Sequence, residues 1–339
     1  MRMHPDKELM KLIEEYMESS DNPDLQGYRE QTYSRDFAGK DRFLWTIKYI
    51  ANLGRLRGAR ILDVGCGCGW QAFATSLLDD KNEVVGMDIL PSMIQGMSEC
   101  VAAMHKKGVK FSLTPICADI CDSQLPLSSF DSIYSNEAIE HVHDMRIMLE
   151  RCYTLLRPGG TLILLNDANM LNSKVHDQIV AMWEQRENSW EWSKYLRSIR
   201  PIEHKDARPF SVMRREIVTA ANPRLTPQEV EMVVASTAGL LKPEIEKIAL
   251  NFRTGVPLAG RPEYDWCRNP ETGEYAERLF DPFALATQMR EAGFKTQVRH
   301  MFRKFPLSLI NSIQIERVNR PLFDLRPSFV LFGRKQDAR

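Results

Sequence analysis

Residues 61–73, ILDVGCGCGWQAF, pass from an apolar run closed by an acid, through three glycines at alternate positions, into the opening of a helix pattern. Few short stretches restrict a fold more. A strand that turns at once into a helix through residues without side chains fits an open α/β sheet. Glycines at that turn let a ligand approach the helix N-terminus closely, which points to a nucleotide.

The rest of the chain repeats the theme. Apolar runs alternate with helical periodicity as strand 61–64, helix 70–79, strand 83–87, helix 91–106, strand 109–117, strand 130–135, helix 144–156 and strand 161–166. That rhythm predicts a parallel sheet covered by helices on both faces. Upstream, residues 6–18 and 41–53 read as helices, separated by a polar, aromatic segment containing Tyr28 and Tyr33. From Leu171 to about Phe280 no strand stands out, although connections in such folds usually run about 2–6 residues. This segment still carries Trp183, Trp190, Trp192 and Trp266. It also contains a helix start at Thr226-Pro227-Gln228-Glu229, where Thr226 can cap, Pro227 presets φ and Glu229 can close a capping box. Residues 242–250 look helical too. The sheet pattern resumes at FDPFALATQMREAGF, in which Asp281 caps, Pro282 opens and Gly293 ends a helix, followed by strands 296–302 and 328–333. The expected organisation is a helical cap over 1–54, a core formed by 55–170 and 280–339, and a mostly helical insertion over 171–279 that follows the fifth strand. That insertion is placed to cover the ligand-binding edge and take the substrate.

The glycine spacing narrows the ligand. Dinucleotide sites run G-x-G-x-x-G, whereas Gly65, Gly67 and Gly69 run G-x-G-x-G behind the acidic Asp63. A carboxylate there repels phosphate and suits a cationic amino-acid end. Asp88 closes the second strand, where a carboxylate can accept both ribose hydroxyls in either nucleotide class.

With these residues assembled, the sequence resembles the class I S-adenosylmethionine-dependent methyltransferases of the type 11 kind. DVGCGCG is similar to their first motif and GMDI at 86–89 to their ribose-binding acid. ADI at 118–120, FDSIYSNEAIEHVHD at 130–144 and LRPGGTLIL at 156–164 resemble the motifs that follow. The likeness spans about residues 55–168. It implies a Rossmann-like seven-stranded α/β sheet with a reversed last strand. It also implies S-adenosyl-L-methionine as cofactor, released as S-adenosyl-L-homocysteine. Gly65, Cys66 and Gly67 would line the methionine part, with Asp63 behind them. Asp88 and Ile89 would hold the ribose, Asp119 and Ile120 would flank adenine, and Asn136 would sit under the sulfonium. Tyr28 or Tyr33 would close over the cofactor, or would simply pack.

Methyl transfer from a sulfonium is an in-line displacement with a neutral leaving group, so positioning in a dry pocket does most of the work, roughly 7–11 kcal/mol. A base is needed only where the acceptor arrives protonated. His141 and His143 follow the fourth strand at the substrate edge and are the candidates for base or orienting group; packing is the equal alternative for His141. Glu137, Glu140 and His141 form E-x-x-E-H, a set able to bind a divalent ion on a helical turn, although no fourth ligand is evident. In the insertion, PIEHKDARPF at 201–210 brings His204, Lys205 and Arg208 together, as a grip for an anionic substrate or as a solvated loop.

Forty-five basic residues balance forty-five acidic ones, so no global field recruits nucleic acid or an anionic membrane. The stretch 291–339, with ten Lys or Arg against four Asp or Glu, is the one basic exception. No run reaches membrane-spanning length, the N-terminus lacks the apolar centre of a signal peptide, and seven cysteines without paired spacing fit reduced thiols. The sequence thus predicts a cytoplasmic enzyme methylating a small-molecule acceptor, without nucleic-acid or membrane partners and compatible with a homodimer. An RNA or protein methyltransferase and a non-catalytic cofactor-binding subunit are the rival readings.

Overall fold

The computed structural model describes residues 6–35, 40–253, 258, 260–302, 307–312 and 316–336, with backbone alone for 31–35, 40–42, 307 and 312. Its strands are β1 (Arg60–Val64), β2 (Glu83–Asp88), β3 (Leu113–Cys117), β4 (Phe130–Asn136), β5 (Leu156–Asn166), β6 (Phe294–His300) and β7 (Phe329–Lys335). They form a single sheet in the order β3-β2-β1-β4-β5-β7-β6. β1 to β5 pair in parallel, and β7 runs antiparallel between β5 and β6.

Helices cover both faces because the central strands alternate apolar residues to both sides. Ile61 joins a core with Ile13 of α1 (Asp6–Met17), Ile47 of α3 (Lys40–Gly54) and Phe73 of α4 (Trp70–Ser76). Leu62 and Val64 join the opposite core with Met148 of α6 (Met145–Leu155) and Ala286 of α12 (Pro282–Glu291). α5 (Pro91–Lys106) packs beside β2 and β3.

Several elements depart from the sequence pattern, among them α4, which ends at Ser76 instead of 79, and β6, which runs 294–300 instead of 296–302. β3 begins at Leu113 instead of 109, because the Val109 amide still bonds back to the Met104 carbonyl at the end of α5. β5 starts at Leu156, since the Pro-Gly-Gly turn is absorbed as an irregularity in its pairing with β4. The polar segment after α1 contains a helix, α2 (Pro23–Arg35), whose Asn22 side chain accepts from the amides of Asp24 and Leu25. Tyr33 lies in this helix, but its side chain is outside the described residues.

Between β5 and α12 come α7 (Ser173–Asn188), α8 (Trp190–Ile199), α9 (Phe210–Ala221), α10 (Pro227–Ser236) and α11 (Lys242–Asn251). The capping box at Thr226 and Glu229 is present, as is the Asp281 cap of α12. Ile217, Val230, Val233 and Ile245 give α9 to α11 a small core of their own. Arg214 of α9 is buried against Glu187 of α7, with Nη1 to Oε2 at 3.1 Å, and its Nε donates to the Val234 carbonyl of α10. Trp183 is fully buried, meets Trp266 edge-on and donates to the Glu277 carbonyl, whereas Trp190 is half exposed.

Candidate functional site

Strand order reverses between β1 and β4, and the crevice at the carboxyl ends of such strands is where open α/β sheets take their ligands. The glycine loop enters it from β1. Gly65, Gly67 and Gly69 have φ of 72°, 53° and 75°, a region that side chains resist. A Cβ at Gly65 would overlap the Cβ of Ala138 beyond β4, and one at Gly67 would stand 3.7 Å from the Tyr28 ring. The loop is therefore threaded between the β4 turn and α2. Cys66 and Cys68 are buried beside it, and burial first of all pushes both thiols up, so they act as small fillers.

Asp88 ends β2 with each carboxylate oxygen accepting one amide: Oδ2 from Gly67 at 2.8 Å and Oδ1 from Leu90 at 2.9 Å. Both oxygens keep a lone pair, so two further hydroxyls fit without displacing a bond. Ile89, the next residue, is 59% exposed, while Ile120 is buried beyond β3. Asp119 accepts from the Cys121 amide at 2.8 Å, and its second oxygen lies 3.3 Å from His143 Nδ1.

Asp63 is almost fully buried and accepts from the Tyr134 hydroxyl at 2.8 Å. Burial pushes its carboxyl up to about 7 against that bond. Asn136, at the end of β4, has a buried Oδ1 with no partner, an orphan acceptor of the kind that a bound ligand would satisfy. The residue after it, Glu137, adopts a φ of 53° and accepts from the Asp167 amide at 3.1 Å. Burial and then Asp167 push its carboxyl well up. Glu140 accepts from Asn166 at 2.5 Å. His141 Nδ1 meets the Tyr275 carbonyl at 3.0 Å. Burial pulls its imidazolium down, but Glu140, Glu277, Glu274 and that carbonyl together raise it to about 9.

Two groups of ligand-type atoms converge here, each within 4.8 Å: Glu140, His141 and Glu277, and Asp119, Cys121 and His143. The first differs from the Glu137, Glu140 and His141 triplet of the sequence. Glu137 is turned to Asp167, and Glu277 takes its place. A mixed nitrogen and carboxylate set suits a divalent cation.

The insertion and α2 roof the crevice. Asp24 of α2 accepts the amides of Ile202 and Glu203, each at 2.8 Å, and Gly27 sits so close to the Ile199 carbonyl that a Cβ would overlap it. At the other side Tyr275 holds His141. Of His204, Lys205 and Arg208, His204 is the one turned inward, its side chain 13% exposed beside Glu203. Arg208 pairs with Glu216 and Glu271 at the surface, and Lys205 is exposed beside Asp206. Sequence reasoning missed Arg186, Arg200, Glu274 and Glu277, which come from the insertion and carry no local motif.

Known proteins share the central part of this chain. Residues 62–164 match the methyltransferase domain family. A phosphoethanolamine N-methyltransferase 3 from Arabidopsis thaliana is 31% identical over 40% of this chain and 26% of its own length. A ubiquinone biosynthesis O-methyltransferase from Xanthomonas euvesicatoria is 32% identical over 35% of this chain and 47% of its own. The chain thus spans about half or less of the length of these curated relatives. A solved SAM-dependent methyltransferase from Aquifex aeolicus is 11% identical over 85% of this chain and 87% of that one, with a TM-score of 0.40. Residues 62–164 thus carry a methyltransferase domain, set in a sheet whose β7 runs antiparallel between β5 and β6.

Proposed function

We propose that the protein transfers a methyl group from S-adenosyl-L-methionine to a small-molecule acceptor. The observation that carries this is the roof: segments 24–28 and 199–203 are bonded to each other and 275–278 to the turn after β4, an arrangement at the strand ends that suits a compact acceptor better than a polymer. When bound, S-adenosylmethionine supplies an electrophilic methyl group on a sulfonium. Gly65 to Gly67 and the Asn136 acceptor would receive its methionine end, Asp88 the ribose hydroxyls, and Asp119 with Ile120 the adenine. Burial raises the carboxyls of Asp63, Asp88, Glu137 and Glu140, so the crevice favours a ligand bringing positive charge.

His141 enters this reading in an altered role. An imidazole raised to about 9 is charged at neutral pH and cannot take a proton, so it balances Glu140 and Glu277 and positions the β4 turn. His143 pairs with Asp119 on the adenine side. Glu140, His141 and Glu277 would hold a divalent cation if one binds, and no step requires it. All seven cysteines are free thiols, which supports a cytoplasmic location. Both walls of the site come from one chain, so a homodimer is compatible with it and not needed.

Calorimetric titration with S-adenosylmethionine, S-adenosylhomocysteine and NAD, followed by acceptor screening through release of S-adenosylhomocysteine, tests the reading. The first two should bind and NAD should not, and turnover should appear with small molecules. Turnover confined to RNA or protein acceptors would overturn the acceptor class.

A further inference from the structure

Two arginines of the insertion have buried donor atoms without a hydrogen-bond partner, Nη1 of Arg186 and Nε of Arg200, while His204 turns its Nε2 to Glu203 Oε1, 3.2 Å away. Arg186 sits in the last turn of α7, Arg200 directly after α8, and His204 in the turn that follows. Arg200 spends Nη1 on Glu203, at 2.8 Å. Arg186 lays its guanidinium over the Phe210 ring, 4.6 Å from the centroid, which fixes its plane and leaves an in-plane edge to bond elsewhere.

Arg200 and His204 meet at Glu203, and Arg186 lies within electrostatic reach of both. After burial, the largest influences on His204 are the charges of Arg200, Arg186 and His141, and the imidazole is pushed down to about 3, so it is neutral. Arg186 is lowered by burial first of all, with Cys267, Glu274 and Glu203 acting against it and Arg200 adding to it. Cations that repel one another while keeping buried donors unsatisfied are stabilised by an incoming anion, and a planar guanidinium edge matches a carboxylate or phosphate. Glu203, whose carboxyl burial raises to about 7, can stand beside that anion as a neutral acid.

We propose that Arg186 and Arg200 form a subsite for an anionic group, carboxylate or phosphate, carried by the methyl acceptor. This rests on the methyltransferase reading above. The other source of the same chemistry is the cofactor's own carboxylate. Arg200 lies toward Tyr28 and the cofactor loop, whereas Arg186 lies toward Cys267 and Glu274, so Arg186 separates the two.

The test follows Tm of protein saturated with S-adenosylhomocysteine while inorganic phosphate or acetate replaces chloride at constant ionic strength. Wild type should show a saturable rise with at least one anion. Arg186→Gln should lose it while binding S-adenosylhomocysteine within twofold of wild type. Arg208→Gln, at the surface pair, should keep both properties. Should Arg186→Gln fold poorly, Arg186→Lys, which keeps charge without the two-pronged edge, should weaken the anion several-fold. A rise that persists in Arg186→Gln, or no rise in wild type, overturns the subsite. A tenfold loss of S-adenosylhomocysteine affinity in Arg186→Gln reassigns the arginine to the cofactor and equally overturns it. If wild type fails to bind S-adenosylhomocysteine, the methyltransferase reading falls on its own, and the same anion titration of the free protein still decides for or against Arg186.

Discussion

Replacing Gly65 by alanine should damage the cofactor crevice by two separable effects. At a φ of 72°, an L side chain costs about 1–2 kcal/mol in backbone strain. The new Cβ would also overlap that of Ala138, a methyl group that cannot swing aside because it is attached directly to the backbone. Overpacking of this kind typically costs about 1–3 kcal/mol. The sum, about 2–5 kcal/mol, should appear as a lower urea midpoint at unchanged slope. Moving Ala138 shifts the turn that carries Asn136 and Glu137, so affinity for S-adenosylhomocysteine should fall at least tenfold. Ala138→Gly in the same chain removes the overlap but not the backbone strain, and it adds roughly 0.5–1 kcal/mol for the new glycine. The double variant should therefore regain cofactor affinity while remaining about 1.5–3 kcal/mol less stable than wild type. A single variant costing under about 0.5 kcal/mol, or a double variant no better at binding than Gly65→Ala, would refute the close approach of the two loops.

Other consequences can be measured directly. Asp88→Asn removes one ribose acceptor and should weaken S-adenosylhomocysteine about tenfold or more by calorimetry; undiminished affinity would remove Asp88 from the ribose site. Asp63 holds a folded-state carboxyl near 7, above its unfolded value, so the native state binds the extra proton and stability drops as pH rises from about 4 to 7. Asp63→Asn should flatten part of that slope in urea melts of the free protein, and an unchanged slope would contradict the assignment. His141 has the opposite chemistry: its cation is stabilised in the fold, that contribution is complete below about 6.5 and disappears as pH passes about 9, and His141→Gln should erase this loss. Arg214→Met strands the buried Glu187 and should cost about 3–5 kcal/mol, most of it recovered in Arg214→Met with Glu187→Leu; equal costs for both variants would show that the ion pair is not what the insertion loses.

Much of the core was legible because both of its signals are local. Strand-to-helix switches at Gly65–Gly69, the acid at Asp88 and the caps at Thr226 and Asp281 each depend on residues within a few positions of one another, and the structure has them where the pattern puts them. α2 was not legible from periodicity, since its polar face includes Asp24, which is buried only because distant amides at 202 and 203 need an acceptor. Its start was still marked by Asn22-Pro23-Asp24, a capping sequence. The roof side chains stayed hidden for the same reason. Arg186 and Arg200 approach each other, and Glu277 approaches His141, only through tertiary packing, and Arg208, the more conspicuous arginine in its proline-bounded loop, is taken by surface acids.

The clasp of Asp24 on residues 202 and 203 joins positions 178 and 179 apart in the chain. A contact of that span cannot form until the sheet between its ends has folded, because its loop-closure entropy is offset only by structure already in place. The roof should therefore be the last part to assemble and the first to open. Limited proteolysis of the cofactor-free protein should cut near α2 and residues 200–207 while the sheet stays protected, and a bound cofactor should suppress both cuts together.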